Sequence, residues 1–310
     1  MTDSSFSFWN REVQAPTHSE WMALPAVRSR INRKIGGREE TWPLDWFAEA
    51  YPGLHFARAL SIGCGAGALE RDLLRRGLCD TVDAFDGSIA SLAVARAAAA
   101  EAGLDGRVRY FAADFNRPAL PSGHYDAVFV HQALHHVAKL EKLLRAVRRA
   151  LRPQGLLYLE EYVGPSASDW TAAAIAPLAA DYARLPAEVR RYDRLPPPIN
   201  SADPSEAIRS REIRHQLGIG FAIEHERGYG GNLLAVILPA LDLAKLDDAL
   251  LERLQRDEDV QLARGELDFY SVLVSRPRRG PRGVLADLRY FVEPKVKRLG
   301  RELAKLFGRA

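Results

Sequence analysis

The chain has 310 residues, 47% of them hydrophobic and 27% charged, close to the averages of folded soluble chains and unlike disordered, collagenous or disulfide-stapled ones. Its longest apolar stretch here, the nine residues Leu233–Leu241 with Pro239 inside, falls short of the ~20 that a membrane-spanning helix needs. The net charge of +3 hides an asymmetry: residues 276–310 hold eleven Lys/Arg and three Asp/Glu, a local +8, which leaves the other 275 residues at −5 and excludes a body built to bind nucleic acid.

No secretory signal is legible in Met1–Glu12, which carries Asp3 and Glu12 and no apolar run. The two cysteines, Cys64 and Cys79, are too few for a disulfide framework. Both features agree with a reducing cytosol, so the expected location is cytoplasmic.

Up to about Gly53 the chain is aromatic-rich (Phe6, Phe8, Trp9, Trp21, Trp42, Trp46, Phe47) without strand alternation, which predicts short helices forming a cover over 1–55. From Phe56 short apolar runs alternate with helical patterns, the signature of βαβ units and a parallel sheet. Strands are expected at Ala59–Ile62, Thr81–Phe85, Val108–Ala112, Tyr125–Val130, Leu156–Leu159, Phe221–Glu226 and Phe269–Ser275. Helices are expected at Ala68–Arg76, Ile89–Ala102, Leu140–Leu151 and, opened by an Asp203-Pro204 cap, Ser205–Leu217. Residues 162–202, with Trp170, Tyr182, Tyr192 and three consecutive prolines, are too long for an ordinary loop and predict an insertion on the substrate side.

The first strand runs into Gly63-Cys64-Gly65-Ala66-Gly67 and then a helix. Glycines there let a ligand approach the backbone, and the helix N-terminus offers unpaired N–H groups. Asp86 follows at the end of the second strand, where a carboxylate accepts ribose hydroxyls. The loop alone is ambiguous, because Gly63-x-Gly65-x-x-Ala68 also satisfies the dinucleotide pattern.

The strings LSIGCGAG, AFDGS, AADF, YDAVFVHQALHHV and LRPQGLLYLEE, in this order and spacing, resemble the class I S-adenosylmethionine-dependent methyltransferases. The resemblance is strong over about 56–161 and loose as far as Ser275. It implies a Rossmann-like α/β fold, a seven-stranded mostly parallel sheet with helices on both faces and its last strand antiparallel. It implies S-adenosylmethionine as cofactor, with Gly63, Gly65 and Gly67 facing the methionine part, Cys64 and Gly87 within the same motifs, and Asp86 on the ribose. Asp114 and Phe115 would read the adenine. One departure stands out: Ser61 occupies a position where the family usually carries an acid.

With the methyl already activated, the protein must align the acceptor, exclude water and, for a hydroxyl, remove its proton. His131, His135 and His136 follow strand four, and imidazole titrates near neutrality. His131, which ends the strand, is the first candidate base and also a cofactor contact; His136 and Glu160 are the others, although the His135–His136 pair equally suits packing. Glu160 and Glu161 end strand five, and alternation sends one of them to the cleft. The four-residue spacing of His131 and His135 suits two metal ligands on one helix face, but no third ligand stands nearby and no metal is expected.

The resulting expectation is an O-methyltransferase for a small-molecule, glycan or lipid-linked acceptor. No Asn/Asp-Pro-Pro-Tyr/Phe motif follows strand four to mark a nitrogen acceptor. A non-catalytic S-adenosylmethionine binder or scaffold of the same fold is the alternative; an NAD(P)-dependent oxidoreductase is disfavoured by the lack of an adjacent Tyr-x-x-x-Lys pair. The domain reading is 1–55 cover, 56–275 methyltransferase domain and 276–310 basic tail. Arg30–Gly37 reads either as a hinged cover carrying Arg33 or Lys34 toward an anion or as a solvated helix end. In the tail Val296, Leu299, Leu303, Leu306 and Phe307 recur at helical spacing among Lys295, Arg298, Arg301, Lys305 and Arg309. That amphipathic pattern over 294–310 fits peripheral contact with an anionic membrane or packing against the protein itself or a second subunit.

Overall fold

The computed structural model describes residues 8–10 and 21–307, without the side chains of Leu303, Lys305, Leu306 and Phe307; Phe6 and Arg309 lie outside the described residues. Seven strands form one sheet: β1 (Phe56–Ile62), β2 (Cys79–Asp86), β3 (Val108–Ala112), β4 (Tyr125–His131), β5 (Leu151–Tyr162), β6 (Phe221–Gly230) and β7 (Tyr270–Pro277). The spatial order is β3-β2-β1-β4-β5-β7-β6. The β3-β2-β1-β4-β5 pairs are parallel, and β7 runs antiparallel to both β5 and β6.

Alternation along the central strands explains why the sheet is covered twice. Ala59, Ala127, Phe129 and Tyr158 point into one core with Phe47. Their neighbours Leu60, Val128, Val130, Leu157 and Leu159 point into a second core. The first core is closed by α1 (Pro25–Gly36), α2 (Pro43–Ala50), α3 (Ala68–Arg75) and α4 (Ile89–Glu101). The second is closed by α5 (Leu140–Ala150), which buries Leu140, Leu143, Leu144 and Val147 at helical spacing.

β1 to β4 and α3 to α5 lie within a few residues of their expected places. Three elements differ, the tail helix among them. The fifth strand begins at Leu151 rather than Leu156: its register on β4 jumps from Tyr125↔Leu151 to Ala127↔Leu156, so residues 152–155 bulge, and Pro153, which has no N–H to donate, sits inside the bulge. The helix expected from Ser205 is only α7 (Ile213–Gly220). Asp203 does cap a turn, Oδ1 accepting from the Ser205 N–H at 2.8 Å and its hydroxyl at 2.7 Å, but Ala207 at φ +45° stops a helix from following.

Residues 162–202 contain α6 (Ala172–Ala183). A short turn, α8 (Leu234–Ile237), and α9 (Asp248–Ala263) lie between β6 and β7. α9 carries fully buried Glu258, whose Oε2 receives Arg30 at 2.6 Å and whose Oε1 caps α8 through the Leu233 and Leu234 N–H groups at 3.1 and 3.0 Å. Arg33 pairs with Glu39, and Lys34 with Asp259 at 2.7 Å, so these cations are tied to acids within the protein. The tail helix α10 runs from Gly280 to Phe307, starting well before the Pro294 expected from the sequence.

Candidate active site

The strand order reverses between β1 and β4, and open α/β sheets bind ligands at the carboxyl ends on either side of such a switch. A cleft of about 240 Å³ opens there and brings together Gly63, Cys64, Gly65, Asp86, Phe115 and His131. It also takes in Trp9, Gln132 and His136. Gly67, Gly87, Asp114 and Glu160 stand outside that wall.

The glycine turn is dictated by space as well as by backbone. Gly63 has φ +72°, and a Cβ there would sit 2.2 Å from the Ala133 Cβ; Gly67, at φ +76°, would meet the Tyr110 hydroxyl at 2.4 Å. The Gly65 N–H donates to Asp86 Oδ2 at 2.9 Å and the Ser88 N–H to Oδ1 at 2.8 Å. Burial pushes the Asp86 carboxyl above its ordinary pKa, opposed by the N–H groups of Ser88, Gly65 and Gly87. Burial also pushes the Cys64 thiol far up, which keeps it protonated and unreactive. Phe115 is 3% exposed and packs on Phe85 at 5.7 Å. The Asp114 Oδ1 accepts the Asn116 N–H at 2.9 Å.

Below the turn lies Glu70 on α3, 0% exposed and with neither carboxylate oxygen hydrogen-bonded. Burial pushes its pKa up to about 7, more than the neighbouring Ser61 hydroxyl lowers it; Ser61 Oγ itself makes no hydrogen bond. The buried acid near the first strand's end thus comes from α3, where sequence reasoning attached no role to it.

His131 closes β4 with its ring about half exposed, Nε2 3.6 Å from Glu160 Oε1. Desolvation lowers the imidazole pKa, but the Glu160 carboxylate outweighs it and the net shift is upward. Burial raises Glu160, and His131 more than offsets this, so the carboxyl sits below its usual range. Tyr158 donates to Glu160 Oε2 at 3.4 Å.

Glu161 faces the other way and is fully buried. It accepts the N–H groups of Ala133 at 3.0 Å and Leu134 at 2.6 Å, and meets His135 Nδ1 at 2.5 Å. Desolvation lowers His135, yet Glu161, with Glu206 and Asp203 beyond it, pushes its pKa up to about 9. His136, by contrast, is held well below the ordinary value by burial and by the His135 charge. Its Nδ1 lies 3.3 Å from Ser205 Oγ and 3.3 Å from Asp203 Oδ2. Asp203 Oδ2 also accepts the Trp9 Nε1–H at 2.9 Å. His135, His136 and Glu206 offer ligand atoms within 4.8 Å of one another, within an ion-pair network in which His135 Nδ1 faces Glu161 and His136 Nδ1 faces Asp203. His131 and His135 share no helix, since only the 3-10 turn Leu134–His136 follows β4.

A second cavity, of about 90 Å³, adjoins the first through Gln132, which lines both. Tyr162, Trp170, Phe269 and Tyr270 give it aromatic walls, and His135 and Glu206 polar ones. Gln132 at φ +50° and Ala207 at φ +45° are the two non-glycine residues with left-handed backbone among the described residues, and both line this cavity. Such strain costs about 1–3 kcal/mol each and gathers at functional sites. Sequence reasoning missed Gln132, Glu206 and the role of Asp203, whose only local signal was a helix-cap pattern.

A switch-point cleft with a glycine turn, an acid ending the second strand and a buried aromatic ring defines an α/β protein that binds an adenosine-type cofactor. Residues 60–159 match the Methyltransf_11 family, described as a methyltransferase domain. The chain therefore carries, over residues 60–159, a segment that matches a methyltransferase domain. It is 34% identical over 116 residues to a ubiquinone biosynthesis O-methyltransferase of Aeromonas salmonicida, covering 37% of this chain and 48% of that protein. A ubiquinone/menaquinone biosynthesis C-methyltransferase of Pseudomonas paraeruginosa is 31% identical over 112 residues, 36% of this chain and 44% of that protein. The chain spans about half the length of the curated relatives it matches. A solved S-adenosylmethionine-dependent methyltransferase from Mesorhizobium loti is 23% identical, with 76% of this chain and 97% of that one covered at a TM-score of 0.47.

Proposed function

We propose that the protein transfers a methyl group from S-adenosylmethionine to a hydroxyl oxygen of a small-molecule acceptor with a flat or apolar body. The cofactor, when bound, supplies a methyl group activated on a sulfonium. Gly63 and Gly65 admit its methionine part. Asp86 holds the ribose hydroxyls, since its oxygens, although they accept backbone N–H groups, keep further acceptor sites. Phe115 and Asp114 serve the adenine end.

The acceptor enters the aromatic cavity, and Gln132 sits where it meets the cofactor cleft. His131 keeps its ring proton on Nε2, toward Glu160, and takes the acceptor proton on Nδ1. Glu160, a carboxylate throughout, then stabilises the imidazolium. His136, buried and committed to Ser205 and Asp203, is a poorer base and is given a supporting place. The observation that carries the reading is His131, backed by Glu160 from outside the wall, lining the same cleft as Gly63 and Asp86. The O-methyltransferase name of the Aeromonas relative points the same way.

The test is turnover of phenol, alcohol, thiol and amine acceptors, followed as S-adenosylhomocysteine release, by wild type and His131→Ala. Hydroxyl acceptors should lead, and His131→Ala should lower turnover by about 10²–10⁴-fold with cofactor affinity unchanged. Faster amine acceptors, or an unimpaired His131→Ala, would overturn it.

A further inference from the structure

Helix α10 presents two unlike faces. Its inner face docks on α5 and α7: Ala286 and Tyr290 are buried, the Tyr290 hydroxyl donates to the Gln216 carbonyl at 2.7 Å, and Asp287 pairs with Arg148 at 2.6 Å. The opposite face has no partner. Val284, Leu285, Leu288, Phe291, Val296 and Leu299 are 56–72% exposed there, along about 22 Å of helix. Seven of the fifteen large hydrophobic residues exposed among the described residues lie on this one helix, whereas exposed apolar residues are ordinarily scattered singly.

Charge says what covers this face. Its acids are spent within the protein: Asp287 on Arg145 and Arg148, Glu293 on His215 and Lys297, Glu302 on Arg298. Arg282, Arg289, Lys295 and Arg301 have no carboxylate partner among the described residues, and the Lys295 ammonium lies 3.6 Å from the Phe291 ring centre. An apolar stripe bordered by unpaired cations complements a surface that is apolar inside and anionic at its rim. A second copy of the same helix would set these cations against one another with no acid to meet them.

We infer that the outward face of α10 seats the protein on an anionic lipid surface, the helix lying in the plane of the interface. No helix among the described residues is long and apolar enough to cross a membrane, so this is contact with one leaflet. The inference is independent of the methyl-transfer reading, because the helix docks on α5 and α7, away from the residues of the cleft.

The experiment is co-sedimentation of the full chain with vesicles of phosphatidylcholine alone or mixed with phosphatidylglycerol, at low and high salt, beside sedimentation velocity without lipid. Wild type should bind the anionic vesicles, at least about tenfold more weakly without phosphatidylglycerol or at high salt. Leu288→Glu combined with Phe291→Glu should reduce binding by about tenfold or more. So should Arg289→Gln combined with Lys295→Gln. All four positions are solvent-facing, so unchanged melting temperatures will show that the variants fold. Absence of vesicle binding at low salt, or variants that bind like wild type, overturns the inference. So does a concentration-dependent dimer that both pairs of substitutions dissolve, since a second copy would then cover the face.

Discussion

Glu70→Gln isolates the most costly ionisation beneath the glycine turn. The Glu70 carboxyl is wholly buried and its pKa is pushed from 4.5 to about 7. A tenfold change in proton affinity is worth ~1.4 kcal/mol, so ionised Glu70 costs the folded state about 3 kcal/mol. The sign follows from which state holds the proton. Between 4.5 and 7 the folded chain binds it and the unfolded chain does not, so the contribution is fully present below 4.5 and is lost as pH rises through about 7. Glutamine keeps the shape and cannot ionise. Urea unfolding at a series of pH values should find the variant near wild type at about pH 4.5 and about 3 kcal/mol more stable above about pH 8. Parallel stability profiles for the two proteins would refute the placement of an unpaired carboxylate under the turn.

Three further outcomes are expected. Asp86→Ala should weaken S-adenosylmethionine binding by about 1.5–3 kcal/mol in calorimetric titration, through loss of charged hydrogen bonds; unaltered affinity would remove Asp86 from the cofactor. Turnover should rise with pH through a pKa above 6.5, because the base form of His131 is the deprotonated one and its pKa is raised. Glu160→Gln should move that inflection down, and a profile indifferent to Glu160 would break the pairing. Glu161→Gln should destabilise the fold at neutral pH by about 3 kcal/mol. That loss should shrink above pH 9, since His135, pushed up to about 9, contributes stability fully below 6.5 and loses it as pH rises through its folded value; a pH-independent loss would deny the ion pair.

What the sequence revealed was whatever is encoded locally. Tyr125–Val130 and Leu140–Leu151 are legible because burial on both sheet faces, or on one helix face, imprints a run or a period on neighbouring residues. The glycine turn and Asp86 are legible because close approach leaves few residue types available. Errors arose where distant contacts overrode local signals. Pro153 suggested a break but sits in a bulge that needs no N–H. Asp203-Pro204 had the form of a helix start, but its carboxylate is bound to Trp9 and lies beside His136, and Ala207 turns left-handed. Glu70 drew no role from the sequence, because nothing local says that this first-turn acid of a helix is buried beside Ser61. The tail period was visible from Val296 on, but Ala286 and Tyr290 obscure it earlier, since only packing tells which face of a helix is the inner one.

The same long-range contacts bear on the separate duties proposed for the two cavities. Glu161 clamps the turn after β4 through Ala133, Leu134 and His135, which fixes the strained Gln132 between them. The strap 203–212 is fastened to that turn by the Ile208 N–H on the His135 carbonyl at 3.1 Å and by the Arg209 fork on Glu141 at 2.8 and 2.6 Å. His135 of the clamp lines the aromatic cavity, but the Trp170 and Phe269 walls come from segments outside these ties. Substitutions at Trp170 or Phe269 should therefore change acceptor preference and leave cofactor affinity intact, whereas substitutions in the Glu161–His135 clamp should disturb both, because the clamp holds Gln132 in the wall that the cavities share.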